Sequence, residues 1–151
     1  MRFTQVREMF DQIGEFHGQL ADYYEQLSDG ADQQRVKLLL EHLGSHQRHL
    51  QQTLNDYEGD TSRHVMDAFV DCADCQQMLI TCRQSPVTAE MSVEGVISAA
   101  MDVDRCLQHF YREVADKAES ETVREVFENL IEQEESELRS LALDAMGAAE
   151  M

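Results

Sequence analysis

The feature that most limits the possible folds is a stripe of apolar side chains that also contains a histidine. Between residues 38 and 57, six residues recur at steps of three and four, the spacing of one helix face: Leu39, Leu43, His46, Leu50, Thr53 and Tyr57. His42 and His49 lie close to His46 on the same helix. A buried polar group needs a hydrogen-bond partner or it costs free energy. The stripe therefore predicts that other segments bring polar partners to these histidines inside a core.

Composition favours one all-α domain spanning residues 1–151. The chain has one proline, seven glycines and a length at which a domain buries a core without disulfides. Its formal net charge of −18 repels nucleic acid and anionic membranes, so neither is an expected partner. The N-terminus lacks the apolar run of a signal peptide, no stretch has membrane-spanning length, and four cysteines are too few for a secreted disulfide framework. We therefore expect a cytoplasmic protein.

The apolar periodicity predicts four long helices and a fifth helix in a long crossover. The predicted bounds are about 4–28, 33–57, 62–83 for the crossover, 92–117 and 121–145. Short turns make the first two helices one antiparallel hairpin and the last two another. The Gln84–Pro86 segment is expected to end the crossover helix.

The two hairpins align with each other as an internal repeat. Apolar residues match apolar ones, while three histidines of the first hairpin match three carboxylates of the second. The first helices of the two hairpins align with an offset of 87 residues. The second helices align with an offset of 88, because we expect one extra residue in the later turn. The resulting polar pairs are His17 with Asp104, His46 with Glu134 and His49 with Glu137. Periodicity alone does not force polar positions to match, so we predict a true repeat.

The order of these residues resembles a known family. Ferritin-like and rubrerythrin-like di-iron proteins have an acidic ligand, a Tyr one heptad later, a short turn and a Glu-x-x-His helix, all repeated after a crossover. The resemblance covers roughly residues 4–145, but the ligand types are redistributed, since residues 46–49 are His-Gln-Arg-His and residues 134–137 are Glu-Glu-Ser-Glu. It implies a ferritin-like four-helix bundle with a pseudo-two-fold repeat more strongly than it implies di-iron chemistry. We also expect a homodimer.

In such a bundle the six aligned polar side chains point into the middle and form a candidate metal site. The expected ligands are His17, His46, His49, Asp104, Glu134 and Glu137, with His42, Tyr24 and Tyr111 around them. Imidazoles suit Zn, Cu, Ni or Fe and carboxylates suit Fe or Mn, so one or two transition-metal ions (Fe, Mn, Zn or Cu) are expected. The predicted function is a metal-binding protein with a dinuclear centre for redox handling of peroxide or oxygen, or for metal storage. If it is an enzyme, it is an oxidoreductase with an external electron donor.

The same six side chains also allow an interpretation without metal. Three protonated histidines and three carboxylates cancel in charge and could form a buried, hydrogen-bonded ionic cluster. The protein would then be a helical interaction module with a vestigial site and no cofactor. Because metal binding needs neutral imidazoles, metal occupancy is expected to fall below about pH 6.

The cysteines leave two interpretations open. Cys72, Cys75 and Cys82 lie in the crossover, and a single Cys-x-x-Cys does not make a rubredoxin-like iron domain. Free cysteines packed as small apolar residues are the simpler interpretation. A thiol redox pair or a Cu(I) site is the other, and Cys106 fits either.

Overall fold

The described part of the chain is helical apart from one short two-stranded ribbon. The computed structural model describes residues 3–84 and 87–150, with side chains described through residue 143. The helices are α1 (Val6–Gly30), α2 (Gln34–Asp60), α3 (Arg63–Met66), α4 (Cys75–Arg83), α5 (Val93–Lys117) and α6 (Glu121–Glu150). The strands are β1 (Phe3–Gln5) and β2 (Phe69–Asp71). The predicted all-α class is confirmed.

Helices α1 and α2 form an antiparallel hairpin. The Gln51 amide in the second half of α2 donates to the Gly14 carbonyl in the first half of α1 at 3.0 Å. The Ser28 hydroxyl near the end of α1 donates to the Glu41 carboxylate near the start of α2 at 3.3 Å. The polar side chains of α1 are therefore held opposite those in the middle of α2.

Helices α5 and α6 repeat the first hairpin with a constant offset of 87 residues. Both α1 and α5 are 25 residues long, and both hairpin turns have three residues, 31–33 and 118–120. The predicted extra residue in the second turn is therefore wrong. The same offset relates the buried residues of α2 and α6, which match as Val36 with Val123, Leu40 with Phe127, Leu43 with Leu130, and Leu54 with Leu141.

The predicted single crossover helix over residues 62–83 is wrong. The chain instead forms α3, then β2, then α4, and β2 pairs antiparallel with β1 so that Thr4 faces Val70. This pairing joins residues far apart in sequence, so helical periodicity carries no sign of it. The backbone N–H of Val6 also donates to the Ala68 carbonyl at 2.9 Å. The predicted end at Gln84–Pro86 falls partly outside the described residues.

Two disulfides bracket α4, so the interpretation of the cysteines as free thiols is wrong, although Cys72, Cys75 and Cys82 are buried as that interpretation expects. Cys72 is bonded to Cys75 at the start of the helix, and Cys82 near its end is bonded to Cys106 of α5. The Arg83 guanidinium donates to the Gln19 side-chain oxygen of α1. The crossover is thus attached to both α1 and α5.

One hydrophobic core lies between the hairpins. Phe10 of α1 and Phe127 of α6 meet edge to face, with ring centroids 6.2 Å apart, and both are almost fully buried. The Asn129 amide of α6 donates to the Tyr57 hydroxyl of α2 at 3.0 Å.

Helix α6 continues to Glu150, beyond the predicted end near residue 145. Among the described residues, none of the helices combines the length and the hydropathy needed to cross a bilayer.

Candidate functional site

Six polar side chains from the four long helices interact inside the molecule, and we call them the polar centre. Its members are His17 of α1, His46 and Gln47 of α2, Asp104 of α5, and Glu134 and Glu137 of α6. Four of them are buried, while His46 and Glu137 are partly exposed, with side-chain exposures of 19% and 16%. The polar centre therefore reaches solvent on the side of His46 and Glu137.

The first hairpin contributes a neutral, hydrogen-bonded pair. His17 Nδ1 lies 2.7 Å from Gln47 Oε1. Because an amide oxygen only accepts, Nδ1 carries the hydrogen and donates, and Nε2 is the unprotonated nitrogen of the neutral ring. Burial lowers the pKa of His17 to about 4, and the bond to Gln47 offsets only part of this effect. At neutral pH His17 thus presents a lone pair on Nε2.

The second hairpin contributes two buried acids. Burial raises the pKa of Asp104 to about 7. The charge of His46 lowers this pKa, and the charge of Glu137 raises it further. Burial, followed by the charges of Asp104 and Glu137, also raises the pKa of Glu134 well above its ordinary value. Glu134 Oε2 is buried and has no hydrogen-bond partner within the described residues. This half of the polar centre therefore favours a proton or a cation.

His46 and Glu137 connect the two hairpins. His46 Nε2 is in contact with Glu137 Oε2, and the ring of exposed His42 lies 5.9 Å from the ring of His46. Tyr24 and Tyr111 are buried as predicted. Burial, together with the charges of Glu134 and Asp104, raises the pKa of Tyr111 well above 10. Tyr111 is therefore protonated and adds no charge to the site.

Five of the six predicted ligand residues belong to the polar centre, but His49 does not. The side chain of His49 is exposed, so the prediction that it faces the interior is wrong. Instead Gln47 and Leu50 are buried on α2. With the offset of 87, Gln47 corresponds to Glu134 and Leu50 corresponds to Glu137.

The error arises from a register ambiguity on α2. The predicted stripe and the observed buried face are two helical faces displaced by about one residue, and both contain Leu43 and Leu50. Apolar spacing alone cannot choose between them. The sequence does hold a signal for Gln47, because keeping the offset of 87 through the second helix aligns Gln47 with Glu134.

Among the described residues, no buried lysine or arginine balances the charge of the polar centre. The buried polar residues of the described chain are His17, Ser28, Gln47, Asp104, Gln108 and Glu134. Arg105 lowers the pKa of Asp104, but its own side chain is exposed. Within the described residues there is also no group of three or more His, Cys, Asp or Glu at distances that would hold a metal ion as they stand. Protons, imidazoles or a cation from solution must therefore neutralise the acids.

No protein-family model, curated protein or solved structure matches the chain.

Proposed function

We propose that the protein is a ferritin-like four-helix bundle that binds one transition-metal ion at the polar centre. The observation that carries this proposal is the burial of Asp104 and Glu134 together, without a buried lysine or arginine among the described residues. Burying carboxylates is costly unless a proton or a cation neutralises them. A divalent ion supplies that charge, and the matched helix hairpins support the bundle architecture.

The donor set of the polar centre fits such an ion. A histidine that binds metal through one nitrogen usually donates its other N–H to a carbonyl or carboxylate oxygen. His17 already donates from Nδ1 to Gln47, so its Nε2 is available as a ligand. Glu134 Oε2 is a buried acceptor without a hydrogen-bond partner in the described residues. His46, Asp104 and Glu137 would complete a mixed imidazole–carboxylate set of the kind that Fe, Mn, Zn and Cu accept.

We propose one ion rather than the dinuclear centre expected from the sequence. The first hairpin has Gln47 and Leu50 at the positions that correspond to Glu134 and Glu137. Leu50 cannot bind a metal, and the Gln47 oxygen already accepts from His17. The residues of this chain therefore do not fit a second ion with its own carboxylate ligands.

The identity of the metal decides whether redox chemistry is available to the site. A redox-active ion such as Fe, Mn or Cu supplies one-electron chemistry towards peroxide or oxygen, whereas Zn does not. The polar centre would bind the ion, and His46 and Glu137 are its partly exposed members. The homodimer, the external electron donor and the cytoplasmic location remain predictions.

Metal analysis and titration test the proposal. Protein purified without chelators should contain near-stoichiometric metal, and the metal-free protein should bind one ion per chain in calorimetric titrations with Zn²⁺, Mn²⁺ and anaerobic Fe²⁺. Glu134→Gln should weaken binding by about tenfold or more, because removing a ligand costs at least as much as removing a residue that orients one. His49→Ala is the matched control, because His49 lies on the same helix as His46 but is exposed, and it should bind metal like the wild type.

A second candidate function is a metal-free helical interaction module, and one observation favours it. The described residues contain no group already arranged to hold a metal ion. A folded protein that takes up none of the three metals at neutral pH would support this alternative and overturn the metal proposal. Uptake of two ions per chain would overturn the single-ion assignment and restore the dinuclear one.

A further inference from the structure

The two disulfides join very different parts of the fold. Cys72 and Cys75 are three residues apart; Cys72 directly follows strand β2, and Cys75 is the first residue of α4. Cys82 and Cys106 are 24 residues apart and link two helices, α4 and α5. A crosslink that closes a short loop restricts the unfolded chain less than one that closes a long loop. The second bond is therefore the one that contributes more to holding the fold.

A cavity gives access to the first disulfide. It has a volume of about 110 Å³, and its walls include Cys72 and Cys75 together with polar side chains of α1 and α4, among them Glu8, Gln12 and Gln76. Cys72 is 2% and Cys75 is 5% exposed, so a reagent reaches them through this opening rather than from the open surface. The cavity has room for several waters, at roughly 30 Å³ each, and so for the end of a small thiol.

The surroundings of Cys72 and Cys75 allow the bond to open without loss of the fold. Residues 72–74 belong to neither a helix nor a strand, so a change in sulfur separation can be absorbed there. The segment before them is held by the pairing of β2 with β1. The segment after them is held by the Arg83–Gln19 hydrogen bond and by the Tyr23 hydroxyl, which donates to the Val87 carbonyl at 2.6 Å.

We propose that the Cys72–Cys75 disulfide is a thiol–disulfide exchange site that accepts two electrons from a dithiol, whereas the Cys82–Cys106 disulfide is structural. A thiolate of the dithiol attacks one sulfur of the pair and forms a mixed disulfide, while the Cys72–Cys75 bond breaks and the other sulfur leaves as a thiolate. The second thiol of the reagent then attacks the mixed disulfide and releases the first cysteine. The dithiol ends as a disulfide, and its two protons end on Cys72 and Cys75. This proposal does not depend on metal binding.

Graded reduction of the folded protein tests the proposal. The oxidised full chain is incubated near neutral pH with dithiothreitol, samples are quenched with acid and alkylated, and the labelled cysteines are identified by peptide mass mapping. Cys106 is itself partly exposed, so access alone does not distinguish the two bonds. Cys72 and Cys75 should nevertheless be labelled at least about tenfold faster than Cys82 and Cys106, because opening the first bond disturbs only the irregular residues 72–74, whereas opening the second disturbs the packing of two helices. We call the labelling of Cys72 and Cys75 the fast phase, and circular dichroism should show unchanged helix content throughout it.

Two double variants provide the controls. The double variant Cys72→Ser with Cys75→Ser should lose the fast phase, and the double variant Cys82→Ser with Cys106→Ser should keep it. A model peptide with two free cysteines, mixed with the oxidised wild type, should be oxidised at the rate at which Cys72 and Cys75 are reduced. The same peptide should stay reduced when it is mixed with the first variant. The proposal is overturned if Cys82–Cys106 opens as fast as Cys72–Cys75, if Cys72–Cys75 opens only when the helices unfold, or if the peptide stays reduced.

Discussion

The two hairpins place different chemistry at equivalent positions. His17 and Gln47 in the first hairpin correspond to Asp104 and Glu134 in the second under the offset of 87. The first pair satisfies itself through a 2.7 Å hydrogen bond between neutral groups, whereas the second consists of two acids whose pKa values are raised. The comparison shows that a repeat can keep its helix geometry while only one half creates a demand for a proton or a cation.

Neutralising the acids of the second hairpin should give the largest change in stability. Asp104 has a pKa of about 7 in the folded protein and near 4 in the unfolded chain, so the folded state binds more protons between these values. Stability therefore falls as pH rises through this range, and Asp104→Asn should remove that loss. The metal-free variant should exceed the wild type by on the order of 3 kcal/mol at pH 8, with little difference near pH 4.

Urea unfolding of the metal-free protein across this pH range measures the difference. Asp102→Asn is the matched control, because Asp102 lies two residues away on the same helix but is exposed. It should change stability by no more than about 0.5 kcal/mol at any pH. If Asp104→Asn gives the same difference at pH 4 and pH 8, the second hairpin does not carry an acid that is protonated by burial.

The first hairpin should show the opposite pH dependence. Burial lowers the pKa of His17 to about 4, whereas a histidine in the unfolded chain titrates near 6.5. The unfolded state therefore binds more protons between these values, and the contribution of His17 to stability is lost as pH falls from about 6.5 to 4. His17→Asn keeps a hydrogen-bond donor for Gln47 but does not titrate. Between pH 6.5 and 4 the variant should therefore lose roughly 2 to 3 kcal/mol less free energy of unfolding than the wild type. His49→Asn is the control, and parallel stability curves for wild type and His17→Asn would contradict the prediction.

Changing Gln47 tests whether the first pair depends on its hydrogen bond. Gln47→Leu leaves the buried His17 Nδ1–H without its acceptor, which should cost about 1–3 kcal/mol. Gln47→Glu keeps an acceptor and copies the second hairpin, so its negative charge should raise the pKa of His17 above 4. Urea unfolding and histidine NMR titration measure the two effects. Gln52→Leu, at an exposed position of α2, is the control and should change neither the free energy of unfolding nor the pKa of His17. If Gln52→Leu lowers the free energy of unfolding as much as Gln47→Leu does, the loss does not come from the hydrogen bond to His17.

The sequence contained enough information for the hairpins but not for the crossover. The 3.6-residue period fixes where long helices form, because each must bury one face. The pairing of β1 with β2 joins Thr4 to Val70. Such a contact depends on where the folded helices leave the chain ends, and no local pattern encodes it. The bond between Cys82 and Cys106 is another contact of this kind.

The sequence predicts most residues of the candidate site, but it does not determine which face of α2 is buried. His17 and Asp104 follow from the first-helix alignment, where one offset fits all residues. The sequence pattern favours His49 over Gln47 because two faces of α2, about one residue apart, have similar apolar spacing. Hydrogen bonding distinguishes the two faces, because an exposed His49 is hydrated, whereas a buried Gln47 needs a partner and His17 supplies it.

Surface ion pairs follow the same offset with their charges reversed. In the first hairpin, Arg48 of α2 lies 3.1 Å from the Glu25 carboxylate of α1 and also contacts Asp22. In the second hairpin, Glu135 of α6 lies 3.7 Å from the Arg112 guanidinium of α5. Arg48 corresponds to Glu135, and Glu25 corresponds to Arg112. Both pairs are largely exposed, so their individual contributions to stability are small and screened by salt.

Charge swaps should give the smallest of the effects and distinguish the hairpins once more. The double variant Arg48→Glu with Glu25→Arg should recover only part of the melting temperature lost in Arg48→Glu, because the new Glu remains beside Asp22. Swapping Arg112→Glu with Glu135→Arg should recover nearly all of the loss, since the position equivalent to Asp22 is His109. Differential scanning calorimetry should find changes of no more than about 3 °C, reduced further in high salt. Equal recovery in both hairpins would show that Asp22 adds nothing to the first pair, and the two surfaces would then be electrostatically equivalent.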